Sequence, residues 1–126
     1  MAAIVARKIA IAGAGLMGRL LAWRLALLGH SIHLFDAGSI TNPKNAAHTA
    51  AAMISPLSEV VVSERLIYDM GMLSLAIWPK WIDELNAQQQ PVIHYSNQGS
   101  LVIAHPQDEA ELQQFYQDLI HHLGPE

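Results

Sequence analysis

Gly13, Gly15 and Gly18 stand at Gly-x-Gly-x-x-Gly spacing, and Asp36 follows 18 residues after the last of them. Those residue types at those distances suit the binding of a dinucleotide. The first glycine permits a tight turn out of a strand, the second lets a pyrophosphate approach the backbone, and the third lets the following helix pack closely on a sheet. A helix that starts there presents unpaired N–H groups and a partial positive charge to the phosphates. A carboxylate at Asp36 falls where the adenosine ribose hydroxyls would lie and can accept two hydrogen bonds from them. Glycines that served packing alone would leave the placing of all three, and of the acid, without a reason.

The elements that must hold these residues are legible around them. Ile9 and Ile11, with small alanines between, predict a short buried strand. A helix is expected from Leu16 to Leu28, with Leu20, Leu21, Trp23, Leu25, Leu27 and Leu28 giving a wide apolar surface and Arg19 and Arg24 reaching solvent. Gly29 can cap it at positive φ. Ser31 to Phe35 then reads as the second strand of a right-handed βαβ crossover, so that residues 7–36 form a nucleotide-binding unit.

Residues 37–57 change character, first rich in Gly, Ser, Thr, Asn and Pro and then in alanine. A loop of this length in a compact domain is usually functional. The small side chains of Ala46, Ala47, Ala50, Ala51 and Ala52 would let backbone amides come close to a flat ring or a phosphate; a short alanine-rich helix is the plainer alternative. From about Ser58 to Gln89 the apolar residues Leu66, Ile67, Met70, Leu73, Ile77, Trp81, Ile82 and Leu85 recur at helical steps, with Pro79 dividing the run into one helix ending near Trp78 and another beginning at the proline. Met70, Met72 and the tryptophans are expected in a core. Two β-rich runs, 91–95 and 100–104, flank Ser96-Asn97-Gln98-Gly99 and predict a hairpin. A last helix from Gln107 to Leu123 has acids in its first turns and Gly124-Pro125 beyond its end.

The composition narrows the functional classes. A formal charge of -4 argues against nucleic acid or an anionic membrane as the main partner, and the lack of cysteine excludes disulfides, zinc thiolates and a cysteine nucleophile in this chain. Arg7-Lys8 before an apolar stretch imitates a secretory signal, but Arg19 interrupts it, and no apolar stretch approaches the length of a membrane span. A cytoplasmic location is the default expectation. The seven histidines are scattered; His121 and His122, adjacent on a helix, point about 100° apart and cannot share a metal. No Ser/His/Asp or paired-carboxylate arrangement stands out, so no catalytic side chain is assigned and no metal is expected.

The glycine triplet with Asp36, the segment His48-Thr49-Ala50-Ala51-Ala52-Met53-Ile54-Ser55-Pro56, the helix end Ser74-Leu75-Ala76-Ile77-Trp78-Pro79 and the turn Asn97-Gln98-Gly99-Ser100-Leu101 occur in an order that resembles the N-terminal part of the D-amino acid oxidase superfamily of flavoproteins, most like its glycine oxidase branch. The resemblance implies FAD as cofactor and an α/β fold: a Rossmann-like FAD-binding βαβ unit followed by helices and a β-hairpin, together an incomplete flavoprotein domain. Leu16 and Met17 would place backbone amides at the FAD pyrophosphate, and Asp36 with Ala37 would hold the adenosine ribose. Ala46 and Ala47 fall where the family often has hydroxyl residues near the phosphates, which leaves that contact to backbone or to His48 or Thr49. Ala51, Ala52 and Met53 would pass beside the isoalloxazine ring, with Ala52 standing where the family usually has glycine.

The resemblance also implies a small-molecule amine or amino acid as substrate, oxidised to an imine as the flavin takes up a hydride; oxygen then reoxidises the reduced flavin, giving hydrogen peroxide, and the protein supplies orientation. The family's substrate-anchoring arginine and the rest of its sheet lie beyond residue 126, so the expectation is a fragment that self-associates or docks to a missing C-terminal half. Two alternatives stand beside it. A nicotinamide-binding domain of a hydroxyacid-type dehydrogenase shares the triplet, helix and acid but usually continues with alternating helices and parallel strands. A non-catalytic interaction module would keep the fold without the chemistry.

Overall fold

The computed structural model describes residues 5–41, 44–50, 52–88, 90 and 92–124, which fall into two compact units, residues 1–53 and 54–126. The first unit opens with strand β1, Lys8–Ala12, continues through helix α1, Leu16–Leu27, and returns along strand β2, Ser31–Phe35. The strands pair in parallel, Lys8 opposite Ser31 and Ala12 opposite Phe35. This is the expected β-α-β order, in a sheet of two strands among the described residues.

Alternation along β1 turns Ile9 and Ile11 to one face, where they are half-buried with Ile32 and the helix, and leaves Lys8, Ala10 and Ala12 exposed. The strand is therefore half-buried rather than buried as expected. A parallel strand is normally covered on both faces, and within this unit α1 supplies one cover. Gly29 adopts φ +86° just past α1 and its N–H donates to Ala26 O at 2.9 Å, closing the helix as anticipated. Of the alternatives for the alanine-rich stretch, a single turn of helix forms, α2, Ala46–Thr49, capped by Asn45.

In the second unit the long apolar run divides differently from the sequence expectation. Pro56 opens a separate one-turn helix α3, Pro56–Glu59, followed by a 3-10 turn at Val60–Val62 and an extended Ser63. Helix α4 then runs without a break from Arg65 to Asn86 and carries Pro79 inside it. The proline removes one N–H from the ladder, yet the turns on either side are long enough to hold the helix, and Trp78 and Trp81 meet edge to face across the position, 6.1 Å between ring centroids. Gly71 explains how α3 sits on α4: a Cβ there would lie 2.7 Å from the Pro56 ring.

The buried residues among those described are Pro56, Val60 and Ile82. Met70 and Met72 are exposed, against the expectation that they are core, because the partners of α4 in its unit, α3 and the 60–62 turn, cover only part of its apolar stripe. The hairpin is not formed either; the described residues of 92–95 and 100–104 carry no strand. Ile93 shows why. Its N–H donates to Asn86 Oδ1 at 2.7 Å and its carbonyl accepts from Asn86 Nδ2 at 2.9 Å, so the end of α4 takes the groups a partner strand would need. The chain closes with a 3-10 turn, Pro106–Asp108, and helix α5, Glu109–Leu123, ended by Gly124 at φ +83°.

Candidate functional site

The glycine turn lies between β1 and α1, and its backbone is held at several points. Gly13 N–H donates to Phe35 O at 2.7 Å, extending the pairing of the strands by one residue. The chain then swings away through φ +103° at Gly13, a conformation that disfavours any residue with a Cβ. Ala14 N–H donates to Asp36 Oδ2 at 2.6 Å, while Ala14 O accepts from Arg19 Nε, also at 2.6 Å. Gly38 N–H donates to the other Asp36 oxygen at 2.8 Å. The acid at the end of β2 thus ties the turn to the strand beside it.

These contacts favour the ionised carboxylate. The Gly38 N–H and then the Ala14 N–H hold the Asp36 pKa below its ordinary value, and the Arg19 charge adds to them. Each carboxylate oxygen has accepted one hydrogen bond and keeps capacity for another.

The three glycines separate by cause. Gly13 is fixed by its φ. At Gly18 a Cβ would lie 1.8 Å from Gly13 O, so any side chain would push the helix off the turn. Gly15 has neither constraint: its φ is -69°, and a Cβ there would meet Asn45 Cβ at 3.7 Å, an ordinary contact. Among the described residues its bareness leaves open space rather than admitting a close packing neighbour.

That space is a pair of adjoining clefts. One, of about 540 Å³, brings Gly13, Gly15, Asp36 and Ala37 together with Lys44 and Asn45. The other, about 790 Å³ and mostly apolar, has Gly13, Gly15, Leu16, Met17, Gly18, Ala46 and Ala47 on its walls. The helix beginning there has no side-chain cap on its first N–H groups, the condition in which a helix start attracts an anion.

A profile of FAD dependent oxidoreductases matches residues 8–126, nearly the whole chain and both of its units. The chain belongs to that family. The FAD dependent oxidoreductases bind FAD, and the match bears out the resemblance at the level of the D-amino acid oxidase superfamily while favouring flavin over the nicotinamide alternative. No curated protein and no solved structure matches the chain.

Nine of the twelve residues singled out from the sequence line these clefts: Gly13, Gly15, Leu16, Met17, Gly18, Asp36, Ala37, Ala46 and Ala47. Ala52 and Met53 line neither, and Ala51 lies outside the described residues. Ala52 has φ +57°, the left-handed region in which a family glycine would sit at ease. Lys44 and Asn45 were missed. Their signal was present: Lys44 is the single Lys or Arg between Arg24 and Arg65, and Asn45 is a good helix cap directly before the alanines. A fit to FAD follows from the bare Gly15, the uncapped start of α1 and an ionised Asp36 with acceptor capacity left. Among the described residues no helix is long and apolar enough to cross a membrane, and no group of His, Cys, Asp and Glu is placed to hold a metal.

Proposed function

We propose that this chain is an FAD-binding portion of a glycine oxidase-like enzyme that oxidises an amine or amino acid to an imine. The observation that carries the reading is Gly15, whose missing side chain answers to no tight contact or positive φ among the described residues. In this reading the FAD pyrophosphate lies against Gly15 and the N–H groups of Leu16 and Met17, drawn by the uncapped end of α1. Asp36 and Ala37 take the adenosine ribose. The Asp36 carboxylate then serves the ribose as well as the Ala14 and Gly38 N–H groups that it already holds.

Ala46 and Ala47 offer small side chains beside the phosphates, and Ala52 and Met53 run along the isoalloxazine. FAD held there would supply the redox chemistry, as a hydride acceptor for the carbon that bears the substrate's amine. The residues of this chain supply position.

The test begins with the visible spectrum of the purified chain after loading with FAD and desalting. Retention of the flavin bands by the wild-type chain, and their loss in Gly15→Val with circular dichroism unchanged, is the expected result. A Gly15→Val chain that holds flavin as well as the wild type removes the pyrophosphate from this cleft. Anaerobic bleaching of the retained flavin by an amine or amino acid, the chain being completed by any partner it needs, then tests the substrate class.

A further inference from the structure

The cleft beside the glycine turn presents one anionic side chain, Asp36, and among the described residues lining it one cation, Lys44. Arg19, also close to the turn, has its Nε engaged by Ala14 O. Lys44 is exposed, and its ammonium makes no hydrogen bond or ion pair with another described residue.

Its neighbour Asn45 is half-buried and lies at the divide, lining both clefts. Asn45 Cβ is the atom nearest to the space a side chain on Gly15 would fill. Asn45 Oδ1 accepts from His48 N–H at 3.1 Å and so caps α2. The amide is planar, with its oxygen and nitrogen on opposite branches of one carbon. Fixing the oxygen on His48 therefore fixes the NH2 group on the other side, where its two N–H donors have no partner among the described residues.

The electrostatics of a dinucleotide make this arrangement informative. A diphosphate bridge brings about two negative charges into a cleft that already holds the Asp36 carboxylate, and a helix start offsets only about half a charge. A full cation is needed nearby, and a lysine serves phosphate as a mobile point charge. We propose that Lys44 and Asn45 form the second wall of the diphosphate site, across from Gly15, Lys44 neutralising the bridge and Asn45 donating to it from Nδ2 while Oδ1 holds α2. The assignment rests on the reading of this cleft as the dinucleotide site. It gives the loop after β2 a task of its own: ligand binding and the capping of α2 pass through one amide.

The test titrates the full chain with FAD, ADP and riboflavin at low and high salt, using flavin fluorescence for FAD and riboflavin and calorimetry for ADP. Lys44→Gln is expected to weaken FAD and ADP roughly tenfold and to flatten their salt dependence, leaving riboflavin unaffected. Asn45→Asp keeps an oxygen for His48 N–H but puts negative charge where the NH2 stood; it is expected to weaken FAD and ADP to a similar degree with thermal denaturation unchanged. Wild-type binding of FAD and ADP that both variants retain in full overturns the second wall and leaves the dinucleotide site standing. A wild-type chain that binds neither FAD nor ADP overturns both.

Discussion

Ala52 carries a cost that no other described non-glycine residue shares. An alanine at φ +57° crowds its Cβ against the following carbonyl. Ala52→Gly should therefore raise stability by about 0.5–1 kcal/mol, the relief of the strain less the extra freedom glycine gains in the unfolded chain; urea denaturation checks it, and an unchanged or lowered midpoint would dismiss the strain. Asp36 gives a prediction in pH. Because its folded pKa is lowered by the Gly38 and Ala14 N–H groups, its contribution is fully present above the ordinary aspartate value of roughly 3.9 and is lost as pH falls through the lower folded value. Asp36→Asn should remove that acid-dependent component from the denaturation midpoint measured between neutral pH and about pH 3. At this scale the sequence was most readable where a residue's type limits its use, as with the glycine triplet and its acid. The tie from Asp36 to Ala14 was not readable, since it depends on the direction the chain takes after Gly13.

Among the elements, α1 and β2 formed within a residue of their expected ends because a turn glycine and a capping glycine bracket the helix. The second unit was harder to read. Apolar spacing found the residues of α4 but not its continuity, since Pro79 is as acceptable at the first turn of a new helix as it is costly inside one. The β-rich runs misled for a related reason: Val92, Ile93, Val102 and Ile103 announce a preference for extended backbone, while pairing depends on which groups remain unclaimed, and Asn86 claims those of Ile93. Asn86→Ala breaks both bonds of that clamp. It should lower the stability of the second unit by about 1–3 kcal/mol, read from chemical denaturation; hydrogen exchange at Ile93 accelerated in step would tie the loss to this contact. Exchange left as slow as in the wild type would show the segment to be held by other means.

At the scale of the whole molecule, the family match runs through both units, although the cleft residues come from the first. Among the described residues no side chain of the first unit is buried, and Leu66, Leu73 and Met70 of α4 are more than half exposed. Apolar surface left open on this scale favours association. Light scattering across a concentration series should show mass rising above 13.8 kDa; a monomer that holds its mass at high concentration, without dye binding to apolar surface, would count against it. Composition announced none of this, since an apolar fraction of 52% promises a core but does not say which chain supplies its other side.

The glycine turn is tied down by Phe35, Asp36 and Arg19 with protein atoms alone. Fixing one residue's backbone costs about 1–2 kcal/mol of conformational entropy, and glycine has the most freedom to lose. For Gly13, Ala14 and Gly15 that loss is taken when the chain folds, before any anion arrives. A ligand entering the cleft meets a turn already stiff, and the free energy of its contacts is left to show as affinity.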